Sequence, residues 1–336
     1  MNCRIRWKSA YKQFMGVNAL VLILVVLSEW LSVPNRYNEP KFVIRKTFMT
    51  SQCEDGRRLG NLMFNYAALI GIAHRYNATP LISENFPLLD MFPLTAAQSS
   101  NIDNSLGMYR NYEEYGKRAC GYDIQTEHFA PPVLNTKLHG YYQSWKYFKS
   151  SNDVIRKEFA FKHDIYQAAL QFHASLNTAA HGATRVAIHV RRGDVLDPDK
   201  SNYGYTTPDV SYYIKAMRIF TETFTSVIFV ICSDDIEWAR DNIQSNNVYY
   251  SNSMTPAVDL AIISLCDHVI MSVGSYGWWG AFLANGITIY YDNWPRPVSM
   301  LEYMVTKKDY FLPDWIGVYE KTNIDEVILK IKSKQT

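Results

Sequence analysis

The chain has 336 residues, 48% apolar and 20% charged, with a formal charge of +2 and with 24 Tyr and 8 Trp. The composition is that of a globular protein with room for about two domains of ~100–200 residues each. It excludes a nucleic-acid protein, because the basic residues are spread along the chain, at most two together, and form no stripe to neutralise many phosphates. Tyr and Trp in such numbers suit surfaces that grip amphipathic ligands such as sugars.

Arg4, Arg6, Lys8 and Lys12 stand in a tail over residues 1–13 that carries no acid, read as cytoplasmic. Phe14 to Val33 follows, with Asn18, Ser28, Glu29 and Ser32 as its polar members. At ~1.5 Å per residue it spans about 30 Å, the thickness of a hydrocarbon core. We read 14–33 as an uncleaved transmembrane signal anchor in preference to a cleaved signal peptide. The residues from Ser28 to Pro34 lack a small-x-small cleavage site, and Trp30 suits a membrane interface. Residues 34–50 then read as a stem, with the folded mass lumenal. Asn77-Ala78-Thr79 is a glycosylation sequon that fits a lumenal face. Cys53 and Cys120 are candidates to pair in an oxidising compartment, and free thiols are the standing alternative. Cys232 and Cys266 fall in apolar patterns and read as buried thiols.

The first folded domain is read over 51–184. It opens with the basic turn Gly56-Arg57-Arg58-Leu59-Gly60-Asn61, and apolar spacing predicts a helix over 62–75. The N-terminus of such a helix, with glycines on its approach, can meet phosphate or sugar hydroxyls through its backbone N–H groups. The bland reading is a tight turn that lets the helix pack. Residues 80–136 show no sustained period. His139 to Phe148 then sets Tyr141, Tyr142, Trp145, Tyr147 and Phe148 among polar groups, which reads either as a ring-rich strand exit or as a rim that holds a sugar.

The second domain is read over 185–336. Arg185 to Val190 is a buried strand, and its end delivers His189, Arg191, Arg192 and Asp194 within six positions. Adjacent guanidiniums stripped of water need an anion. Asp194 is a candidate internal partner for one of them, which leaves the other free for a phosphate that a planar fork meets with two charge-assisted hydrogen bonds; the bland reading is a solvated strand-exit salt bridge. Beyond it the pattern alternates: helix 208–221, strand 227–232, helix 236–243, strand 248–250, helix 257–266, strand 268–271, helix 278–283 and strand 287–291. Such alternation means a parallel sheet covered on both faces, with ligands at the strand C-terminal ends. Four loops gather there: Arg191 to Asp194, Ser233 to Asp235, Ser251 to Met254, and Ser272 to Gly277. Asp197-Pro198-Asp199 has the form of a metal-binding Asp-x-Asp but the composition of a turn.

His189-Val190-Arg191-Arg192-Gly193-Asp194 matches the His-x-Arg-Arg-x-Asp motif of the α1,2-fucosyltransferases, whose looser form occurs in α1,6- and protein O-fucosyltransferases. The blocks Gly56 to Leu69, Gly140 to Phe148, Asp259 to His268 and Ser275 to Ala281 also resemble that family in order, covering roughly residues 56–295. Leu62 and Asn65 stand where the family commonly has glutamines, and Val273, Gly274 and Gly277 replace more polar residues. The resemblance implies an α/β, GT-B-like fold, two Rossmann-like domains facing a cleft behind an N-terminal membrane anchor. It implies an inverting Golgi type II transferase that moves fucose from GDP-β-L-fucose to the 2-hydroxyl of a galactose on a glycan, without a metal ion or other cofactor. A fucosyltransferase with another acceptor and a silent glycan-binding relative are the alternatives. Carried onto this sequence, the resemblance makes Arg191, Arg192 and Asp194 the catalytic set, Asp194 being the candidate base. Donor contacts fall on His189, Arg191, Arg192, Gly60, Asn61, Ser233, Asp234, Asp259, Ser275, Tyr276 and Trp278. Acceptor contacts fall on Gln143 and Trp145.

Overall fold

The structure is a computed structural model, and it describes residues 46–51, 58–117, 119–130, 133–176, 182–253 and 255–333. The expected anchor at 14–33, most of the stem, Cys53, Arg57 and Met254 lie outside these. Among the described residues no helix is long and apolar enough to cross a membrane.

Two parallel sheets make up the unit Lys46–Thr336. The first is built from β1 (Phe48–Ser51), β2 (Thr79–Ser83), β3 (Ala97–Ser99), β4 (Arg110–Glu113) and β5 (Thr136–His139), in the order β3-β2-β1-β5-β4. The last residues of the stretch read as a stem are thus its central strand. The second is built from β6 (Thr184–Val190), β7 (Val227–Ser233), β8 (Val248–Tyr250), β9 (His268–Met271), β10 (Thr288–Tyr291) and β11 (Ile316–Val318), in the order β11-β10-β9-β6-β7-β8. Covered on both faces, its strands are continuous apolar runs, as a buried parallel sheet requires. β6 is buried from Val186 to Val190 and pairs along its length with β7.

In each sheet the chain adds strands outward on one side and then returns to the other. The reversal falls between β1 and β5 in the first sheet and between β6 and β9 in the second. At such a switch point the loops leave in opposite directions and open a crevice.

Two helices join the sheets. Leu59–Arg75 is buried without interruption from Leu62 to Ala73 because it packs on the first sheet with one side and on the helix Ser275–Ala284 with the other. Phe64 lies 4.5 Å from the Trp278 ring and 5.0 Å from the Trp279 ring. Trp278 Nε1 donates to Tyr310 O at 2.8 Å, and Trp279 Nε1 donates to Gly60 O at 3.0 Å. Trp278 is therefore core and not a donor contact: it is fully buried and its one polar atom is engaged.

The predicted elements of the second half recur, the strands 248–250 and 268–271 with the predicted ends and the others with shifted ones. The helix expected at 278–283 starts at Ser275, because Gly274 at φ 95° turns the chain into it. Asp197-Pro198-Asp199 is not a plain turn: Pro198 opens the helix Pro198–Tyr203, a position where its missing N–H costs nothing. Cys120 is buried and free, and its thiol donates to Gln143 Oε1 at 3.5 Å.

Candidate active site

The two switch points face one cavity of about 860 Å³. Arg58, Gly60, Asn61, Tyr141 and Gln143 reach it from the first half, and His189, Arg191, Ser233, Asp234, Asp259, Ser275 and Tyr276 from the second. Its size and mixed lining are those of a site for a ligand larger than a single sugar.

At its centre the halves are tied by one carboxylate. Asp194 Oδ1 accepts from Arg58 Nη1 at 2.7 Å and from Arg191 Nη2 at 2.9 Å. Arg58, donating that hydrogen bond, and Arg191 hold the Asp194 carboxyl down to about 2. Two guanidiniums share that one carboxylate, so the trio carries a formal charge of +1. Arg191 is fixed further by its backbone N–H, which donates to Ser272 Oγ at 3.0 Å. Its Nε is buried and has no hydrogen-bond partner among the described residues. A charged donor left this way asks for an acceptor. Gly274 makes room for the side chain, since a Cβ there would lie 2.8 Å from Arg191 Nη1.

Arg192 goes elsewhere. Its guanidinium lies 3.9 Å from the centre of the Trp238 ring, with Nε donating to Asp235 at 3.3 Å, and it does not line the cavity. The Arg-Arg pair is divided, one member for the cavity and one for the fold. Asp194 accordingly orients Arg191 and Arg58, not Arg192. With its proton held so weakly it is a poor general base, because efficient bases titrate near the working pH.

The start of the helix Leu59–Arg75 meets that of Ser275–Ala284 at the cavity wall. Ser275 Oγ donates to Asn61 Oδ1 at 2.5 Å. Gly60 is the residue that permits this approach: a Cβ there would lie 2.6 Å from the backbone of Ser275 and Tyr276. The helix Pro256–Ser264 opens on the same cavity, so three helix N-termini bring their positive dipole ends to it. His189 is buried, its Nδ1 3.1 Å from Ser272 Oγ, and burial beside Arg191 pushes its pKa down to about 3, so the ring is neutral.

Of the remaining expected residues, Asp234 Oδ1 accepts the Arg192 N–H at 2.8 Å, and Asp259 accepts from Ser251 while burial raises its pKa. Trp145 is half-buried; its Nε1 donates to Lys308 O at 3.4 Å, away from the cavity. Asn77 is exposed in a left-handed conformation after the Leu59–Arg75 helix. Sequence reasoning named Arg58 within its motif but gave it no role, and it missed Tyr205 and Tyr310, which line the cavity near Arg191. Arg58 was recoverable, as a charge beside the glycine turn. The two tyrosines carry no local signal, since tertiary folding alone brings them in.

A sequence model of glycosyl transferase family 11 matches residues 30–319. Galactoside alpha-(1,2)-fucosyltransferase 1 of Rattus norvegicus is 30% identical over 273 residues, 78% of this chain and 71% of that one. Galactoside alpha-(1,2)-fucosyltransferase 2 of the same organism is 29% identical over 269 residues, 78% of this chain and 74% of that one. Among solved structures, NodZ alpha-1,6-fucosyltransferase soaked with GDP-fucose superposes with a TM-score of 0.51 over 74% of this chain and 96% of that one, at 12% identity. The likeness is one of fold, α/β with parallel sheets and GT-B-like.

Proposed function

The chain belongs to glycosyl transferase family 11, and from that premise we propose that it transfers L-fucose from GDP-β-L-fucose to the 2-hydroxyl of a galactose on a glycan, with inversion. The observation that carries this reading is the Arg58–Asp194–Arg191 bridge across the cavity, with its formal charge of +1 and a buried Arg191 Nε that has no partner among the described residues.

The chemistry needs such a group. When the bond from fucose to the diphosphate breaks, negative charge grows on the leaving phosphate oxygens. Fixed guanidiniums bind that charge more strongly in the transition state than in the ground state, which lowers the barrier. Asp194 holds both arginines in place, so no reorganisation is required at the moment of reaction. The positive charge that a metal ion supplies in other transferases is supplied here by Arg191 and Arg58, and this reading asks for no metal. The N-termini of the Pro256 and Ser275 helices, with Ser233 and Asp234, suit the nucleotide and place the donor on the second half. The acceptor then lies on the side of Tyr141 and Gln143.

The test is transfer by the full-length protein to a β-galactoside in the presence of a chelator, with the linkage read by NMR. An α1→2 product is expected. Donor binding without transfer would favour the silent relative, and fucose at another position would overturn the acceptor assignment.

The same reading makes Phe14–Val33 a signal anchor in the Golgi membrane, with the folded half lumenal and the exposed Asn77 open to glycosylation. Its supports are the apolar stretch and the sequon. A glycosidase-sensitive mobility shift abolished by Asn77→Gln is expected, and a chain that never shifts would count against that orientation.

A further inference from the structure

The turn Gly140–Gln143 leaves β5 at the first switch point and brings Tyr141 and Gln143 to the cavity. Its middle residue, Tyr142, sits at φ 50°. For a bulky non-glycine residue this conformation is costly, and it persists where the surroundings over-determine it.

The surroundings do so from both sides. Glu114, 2% exposed beyond the end of β4, accepts from the backbone N–H of Tyr141 at 2.7 Å and of Tyr142 at 2.9 Å through Oε2, while Oε1 accepts from Tyr147 Oη at 2.7 Å. On the opposite side, Asn65 Nδ2 donates to Tyr141 O at 2.9 Å, with its own Oδ1 engaged by Ser51. Gly140 leaves the space Glu114 occupies: a Cβ there would lie 2.4 Å from Glu114 Cβ. Asn65 is also one of the departures noted in the sequence, where the family commonly has glutamine.

We propose that Glu114, with Asn65 opposite, is a positioning residue for the acceptor: it holds the strained turn so that Tyr141 and Gln143 stand ready for a galactoside's hydroxyls. The inference rests on the fucosyltransferase reading and deepens it. A buried carboxylate is costly unless its hydrogen bonds are complete. Three donors complete Glu114, and two of them are the backbone of the turn itself. The carboxylate and the strained backbone therefore stabilise each other, and losing one releases the other.

The arrangement is sensitive to pH. Burial raises the Glu114 pKa to about 7, against the pull of its hydrogen bonds from Tyr142, Tyr147 and Tyr141, and Asp123 adds to the rise. The titratable groups around it are Asp123, Cys120, Tyr112, Tyr142 and Tyr147. The thiol and the phenols are all raised by burial, which leaves Glu114 to titrate near neutrality. Protonation weakens its acceptance of the N–H groups and loosens the turn.

The experiment measures KM for a β-galactoside and for GDP-fucose, with kcat, across neutral pH in the full-length wild type, Glu114→Ala and Glu114→Gln. In the wild type the acceptor KM is expected to rise as pH falls through about 7. Glu114→Ala is expected to raise it by about tenfold with the donor KM within about twofold. Glu114→Gln keeps the shape but removes the charge, as protonation does, so it is expected to hold the acceptor KM near the wild type's low-pH value and abolish its pH dependence. If Glu114→Ala does not fold, the Glu114→Gln profile decides. An acceptor KM in Glu114→Gln that still varies with pH as in the wild type, or equal changes in donor and acceptor KM, would sink the proposal alone. A wild type that transfers no fucose would sink the reading beneath it as well.

Discussion

The two halves of the molecule deliver residues to one cavity and hold them by different means. In the second half Arg191 follows directly on β6, which pairs over seven residues with β7 and over four with β9. Backbone pairing alone fixes where that strand ends. In the first half β5 has only four residues, sharing three pairs with β1 and four with β4. That is too little to aim a turn, and buried polar side chains, Asn65 and Glu114, complete the work. A long strand positions through its ladder, whereas a short one borrows side chains and with them their pKa values.

The contrast can be broken at the seam that joins the halves. Trp279→Ala removes a fully buried ring that touches Phe64 and Phe148 and donates to Gly60 O. It is expected to cost about 3–5 kcal/mol of stability. Calorimetry should show one transition at a lower temperature; two separate transitions would mean that the halves fold independently.

Arg191→Ala tests the strand-borne side next. Removing one preorganised donor to the leaving group is expected to lower kcat by about 10²–10³, or roughly 3–4 kcal/mol of transition-state stabilisation. Thermal stability should move little, because Asp194 keeps Arg58 as a partner. A kcat within tenfold of wild type would remove Arg191 from the chemistry.

Arg192→Ala sharpens the division between the neighbours. Loss of its contact with Trp238 is expected to cost about 1 kcal/mol of stability. The activity should fall far less than in Arg191→Ala. Equal losses in kcat would show that the two arginines act as a pair.

The smallest effect concerns Asp194. Its folded carboxyl is depressed to about 2, below an unfolded value near ~4. The stability its ion pairs contribute is therefore present above the unfolded value and is lost as pH falls through about 2. Between about pH 5 and 8 it does not titrate, so Asp194→Asn is expected to leave the shape of the pH–rate profile unchanged while lowering its height. A shifted acid limb would restore Asp194 as the general base.

The same contrast explains how much could be read in advance. The second sheet announced itself because continuous apolar runs alternate with amphipathic helices, and each loop at its edge follows a strand that periodicity reveals. Over residues 80–136 the strands β2, β3 and β4 have three to five residues and mixed burial, so no period survives. Glu114 lies there, and its role depends on a turn more than twenty residues away in sequence. The Arg-Arg motif was legible as chemistry but not as geometry: nothing in two adjacent letters says that one side chain faces the cavity and the other a tryptophan.

The aromatic seam between the helices Leu59–Arg75 and Ser275–Ala284 bears on how the molecule moves. A hinge between two lobes needs an interface that can part, and parting this one would bring Phe64, Phe148, Trp278 and Trp279 into water together. That exposure is too costly for a catalytic cycle. Lobe closure is therefore not the gate. Admission and release are then expected to fall to short segments at the cavity's edge, with the frame still.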